Sequence, residues 1–87
     1  MRVTVVKPDG VVCIDGLCFG EIDMTSVPPD VVALQWYETY GDQESINPIT
    51  KRMENTIINS LDGYENVIAQ WEQKKAEHDA LSSGENS

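Results

Sequence analysis

Histidine is almost missing from this 87-residue chain: His78 is the only one. Nucleophilic catalysis usually needs an imidazole beside the nucleophile. His78 instead sits among Lys75, Glu77 and Asp79, a pattern that reads as a solvated surface. Positive charge is scarce too. Six Lys and Arg stand against fifteen Asp and Glu, a formal charge of −9. The bases are scattered as Arg2, Lys7, Lys51, Arg52, Lys74 and Lys75, whereas binding nucleic acid through phosphates needs them clustered. No run approaches the ~18 apolar residues of a membrane span. The opening MRVTVVKPDG has a charge but no apolar stretch of signal-peptide length. Two cysteines without an export signal point to a reducing, cytoplasmic setting for synthesis. There are no repeats and no glycine-rich phosphate loop, since PDGV and IDGL read as turns. So short a chain makes one domain with one modest core, in which a deep multi-residue cleft is not expected.

What is present reads as strands and then a helix. RVTVVK, 2–7, is rich in β-branched residues. The turn Pro8-Asp9-Gly10 follows, and VVCI, 11–14, returns from it. Asp15-Gly16 is the strongest two-residue hairpin signal, and LCF, 17–19, is a short third strand. The connector 20–30 contains Pro28-Pro29, which exclude a central strand; its Ile22 and Met24 form a brief edge or plug the core. VVALQWYETY, 31–40, is the longest β-type run. It places Val32, Leu34 and Trp36 on one face and Val31, Ala33, Gln35 and Tyr37 on the other, suiting a central strand covered on both sides. Gly41-Asp42 reads as a second hairpin turn with QESI, 43–46, returning along an exposed edge. NPITKRMEN, 47–55, reads as a loop and 55–58 as a last short strand. Ser60 is the expected cap of a helix that carries Gly63 in its first turn. Its stripe is Leu61, Tyr64, Val67, Ile68 and Trp71, at helical spacing.

The expected fold is therefore α+β: an antiparallel β-meander of four to five strands packed against one C-terminal amphipathic helix. Residues 1–81 form the single domain and 82–87 a flexible tail.

Few residues invite chemistry. The Asp15-Gly16 loop places Cys13 opposite Cys18 as a non-hydrogen-bonded pair with Cα atoms about 4.5 Å apart. A disulfide is allowed there, at the short end of the usual range, and two facing small apolar side chains are the ordinary alternative. Zinc needs four ligands, and these two cysteines with a distant His78 do not supply them. Glu21 and Asp23, two apart, are the only carboxylate pair weighed for acid–base work, and a solvated face is their default. No catalytic, cofactor-binding or metal-ligating residue is assigned. The aromatics say more. Trp36 and Trp71 are expected in the core. Tyr37 and Tyr40, beside Asp42 and Glu44, form a candidate protein-binding patch, since Tyr is a favoured interface anchor.

The stretches VTVVKPDGVVCIDG and PPDVVALQWYETYG, an acidic hairpin, and IINSLDGYENVIAQWEQKKAEHDA together resemble small proteins encoded among bacteriophage and prophage tail genes. Leu34-Gln35-Trp36 after a Pro-Asp turn, and a closing helix with Leu61, Tyr64 and Trp71, carry the resemblance. It implies a non-enzymatic tail accessory or tail-fibre assembly protein whose partner is a phage tail or fibre protein. Such a protein would act in the host bacterial cytoplasm during assembly, or remain on the virion. The alternative from charge alone is an acidic inhibitor that mimics nucleic acid toward a host protein.

Overall fold

The computed structural model describes residues 1–85. Three strands, β1 (Arg2–Val6), β2 (Val11–Ile14) and β3 (Leu17–Phe19), form one antiparallel meander. A second comprises β4 (Val31–Tyr37), β5 (Tyr40–Ile46) and β6 (Met53–Ile58), and the helix α1 (Glu65–Glu85) closes the chain. The meanders join through β1 and β4 into one six-stranded antiparallel sheet, ordered β3-β2-β1-β4-β5-β6. The α+β class is as expected, with six strands in place of four to five. The strand order departs from a simple meander, because β4 returns beside β1 and not beside β3. The reason is burial: Val5 of β1 and Leu34 of β4 face each other in register, and both are wholly buried.

The core lies between the helix and one face of the sheet. Val3, Val5, Val12, Ile14, Leu34 and Trp36 come from the strands; Tyr64, Val67 and Trp71 come from the helix and its approach. Ile22 and Val27 of the connector are buried with them, so this segment plugs the core and forms no edge. Gln70 straps it down: Asp23 N donates to Gln70 Oε1 at 2.8 Å, and Gln70 Nε2 donates back to Asp23 O at 2.8 Å. Trp71 Nε1 donates to Leu17 O at 2.9 Å, and Phe19 meets the Trp71 ring edge-on at 5.8 Å.

Local chemistry explains the first hairpins. Gly10 has φ +62°, and Asp15 and Gly16 have φ 51° and 89°, both positive as a type I′ loop requires. Cys13 is paired with Cys18, as the loop dictates, and the two are joined in a disulfide with Cα atoms 3.9 Å apart. The bridge, and not merely two facing side chains, therefore closes this hairpin.

Three expectations are corrected. The β4–β5 turn is at Glu38-Thr39, with Glu38 at φ 68°, and Gly41 lies inside β5 opposite Trp36. Gly41 is there for space, because a Cβ would sit 2.9 Å from Trp36 Cε3 and 3.1 Å from Gln35 O. Second, residues 43–46 do not form an edge. β6 runs alongside β5 from Met53, taking in residues whose mixed polarity predicts a loop. Third, the helix begins at Glu65, not after Ser60. Gly63 has φ +95°, outside helical backbone, and Glu65 Oε2 accepts from Gly63 N at 2.9 Å. Ser60 Oγ accepts only a long 3.4 Å contact from Asp62 N. Tyr64 instead provides the first carbonyl, which accepts from Ile68 N at 3.1 Å. The helical backbone continues to Glu85, beyond the point where composition predicts a tail. Residues 86 and 87 of that tail lie outside the described residues.

Candidate functional site

The alternation of a strand sends successive side chains to opposite faces. With Val3, Val5, Leu34 and Trp36 turned toward the helix, Arg2, Thr4, Gln35 and Tyr37 take the other face. Register extends that face across β5. Tyr37 lies opposite Tyr40, Gln35 opposite Asp42, and Ala33 opposite Glu44. The four candidate binding residues, Tyr37, Tyr40, Asp42 and Glu44, therefore share one surface. Among the described residues, no element is laid across it. β4 is thus covered on one side only, against the expectation of two-sided cover. A shift in the β4–β5 ladder between Val31 and Ala33 turns Val31 to the core and leaves Val32 half-buried.

The patch is built from contacts among its own side chains. Tyr37 and Tyr40 have ring centroids 5.5 Å apart, tilted by 37°. The Arg2 guanidinium lies 5.3 Å from the Tyr37 centroid, within the range of a cation–π contact. Tyr40 remains 46% exposed at the outer end of this row. Asp42 accepts from Asn55 Nδ2 at 3.0 and 3.2 Å, which leaves its charge at the surface but fixes its orientation. Toward β1, Thr4 Oγ1 donates to Gln35 Oε1 at 2.9 Å. The disulfide lies on the same face, since Cys13 is in register with Thr4. A shallow depression lined by Arg2, Thr4, Cys13, Asp15 and Gln35 continues the surface to the first hairpin. Reasoning from the sequence missed Arg2, although its alternation with Val3 and Val5 carried the signal.

The residues weighed for chemistry are not gathered. Glu21 and Asp23 are in the connector, outside any strand. Asp23 Oδ1 accepts from Thr25 N at 2.9 Å, and that backbone hydrogen bond holds its carboxyl below the usual range. His78 sits against Phe19 with centroids 6.0 Å apart, next to Asp79. The Lys75 ammonium, 2.7 Å from Asp79, holds that carboxyl low. Among the described residues, no three His, Cys, Asp or Glu side chains cluster as metal ligands would. No helix among them is long and apolar enough to cross a membrane. One buried titratable group belongs to the core. Tyr64 OH donates to Gln43 Oε1 at 2.6 Å, and burial pushes its pKa up to about 12, with Asp30 adding to the effect.

Comparison with protein-family models, with curated proteins and with solved structures finds no match.

Proposed function

We propose that this chain is a non-enzymatic protein-binding module whose contact surface is the open face of the sheet, centred on Tyr37, Tyr40, Asp42 and Glu44. The observation that carries the reading is the placement of a tyrosine pair in ring contact beside two carboxylates on a face with no covering layer. Rigid aromatics provide contact area at low entropic cost, and flanking carboxylates select a partner of opposite charge. The fitting partner presents a shallow apolar patch rimmed by Lys or Arg. Within the phage resemblance, this partner is a tail or tail-fibre protein, and the module serves in its assembly in the host cytoplasm or stays on the virion.

The test is co-purification of the chain with phage tail and tail-fibre proteins, comparing the native sequence with Tyr37→Ala/Tyr40→Ala. Retention of a fibre or tail protein, weakened at least about tenfold by the double substitution, is the expected result. Recovery of basic nucleic-acid enzymes instead, released by salt, would replace it with the acidic-mimic reading. Equal retention by both chains would remove the tyrosine patch from the interface.

A further inference from the structure

The two edges of the sheet differ in how they are closed. β3 is three residues long and is closed by Trp71, which bonds Leu17 O and packs on Phe19. β6 is six residues long, and Met53 to Ile57 are exposed on both faces, with Met53 at 51% and Ile57 at 61%. Long, exposed apolar edges are templates for pairing with another strand. β6 carries none of the lysines or prolines that usually blunt such an edge.

The backbone pattern fixes which groups are free. Asn47 N donates to Arg52 O at 2.9 Å, closing the β5–β6 hairpin. Antiparallel ladders alternate bonded and non-bonded pairs. Residues 54, 56 and 58 therefore direct their N–H and C=O toward β5, and Met53, Asn55 and Ile57 direct theirs outward. These same three residues share the open face, because Ile57 is in register with Asp42 and Asn55 with Glu44.

We propose that β6 pairs with β6 of a second copy of this chain, antiparallel, about a two-fold axis at Asn55. That register places Asn55 against Asn55, and Met53 of each chain against Ile57 of the other. Outward-directed groups then meet outward-directed groups in all three pairs, making about six backbone hydrogen bonds. A register displaced by one residue would oppose outward with inward groups and lose them. The exposed Met and Ile also cover each other, which makes the edge complementary to itself.

Charge permits a second copy at this edge. Two chains of −9 repel, and the contact is best tolerated where acid is sparsest. Residues 47–58 hold two bases, Lys51 and Arg52, and one acid, Glu54, for a net +1. The pairing would also join the two open faces into one continuous surface with the Tyr37 and Tyr40 rows arranged about the axis. It stands on the edge geometry alone and does not depend on the protein-binding reading.

Sedimentation velocity on the full chain, from micromolar to millimolar, gives the test. The expected result is a species of twice the 9.7 kDa chain mass that dissociates on dilution. Asn55→Pro removes the outward N–H, at a position where an edge strand tolerates proline, and should weaken the dimer at least about tenfold. Ile57→Lys should act in the same direction and stands in if the proline variant loses its sheet circular dichroism. Asn55→Cys should give an interchain disulfide on mild oxidation, because directly bonded pairs have Cα atoms about 5.5 Å apart. The unaltered chain is the control for Cys13 and Cys18. A monomer throughout the range overturns the proposal, and so does a dimer that neither Asn55→Pro nor Ile57→Lys weakens.

Discussion

The β2–β1–β4 half of the sheet and the β5–β6 hairpin are built from strands of similar length but live under different conditions. In the first, alternate residues meet the helix and the connector: Val3, Val5, Val12 and Leu34 are at most 1% exposed. In the second, Gly41 and Ser45 are buried, while Met53, Ile57 and the residues between them are open to solvent. α1 is responsible for the difference. It packs across β2 and the edge at β3, at one end of the strand order. Its buried stripe ends at Trp71, and residues 76–81 are exposed. One helix cannot cover six strands, since neighbouring strands lie about 4.8 Å apart and a helix is about 10 Å wide. The covered half thus carries most of the core, while the hairpin adds Ile58 and the Gln43 contact to Tyr64 and leaves Met53 to Ile57 outside it.

Substitutions can break that contrast. Trp71→Ala removes the ring that closes the covered half over Phe19 and Leu17. It should cost about 3–5 kcal/mol, read as a fall in the midpoint of denaturant unfolding. Gly41→Ala tests the seam between the halves. Its φ is ordinary for a strand, so the outcome depends on space, and the new methyl meets the Trp36 ring and the Gln35 carbonyl. A loss of about 1–3 kcal/mol is expected, whereas a gain would show that the ring can move aside. Ile57→Thr, in the uncovered hairpin, should change stability by less than about 0.5 kcal/mol, measured at a concentration where the chain is monomeric. A larger loss would mean that β6 is covered even in the single chain.

The candidate site was legible in part for a simple reason. Tyr37, Tyr40, Asp42 and Glu44 lie close together in the chain, and a two-residue turn brings them to one face. The turn itself is not where composition predicts it. Gly41-Asp42 has the composition of a hairpin loop, yet the chain reverses at Glu38-Thr39 and uses Gly41 where Trp36 leaves no room for a side chain. Gly63 misleads in the opposite sense, since it ends the approach to the helix and does not lie within it. A glycine can serve backbone freedom or close packing, and only the neighbours reveal which. β6 was legible only over its last residues, because a strand buried on neither face shows no alternation of apolar and polar residues.

By itself, the sequence determined the local pieces: the Asp15-Gly16 hairpin with Cys13 opposite Cys18, the β-rich run after Pro29, and the helical stripe through Tyr64, Val67 and Trp71. Each depends on interactions within a few residues, where backbone preference and side-chain spacing act directly. The tertiary structure alone decided that β4 lies beside β1, that β6 completes the sheet, and that one face stays open. Those outcomes depend on which apolar surfaces meet after the chain has turned back on itself. The burial that drives them is proportional to shared area and carries no mark in the order of residues.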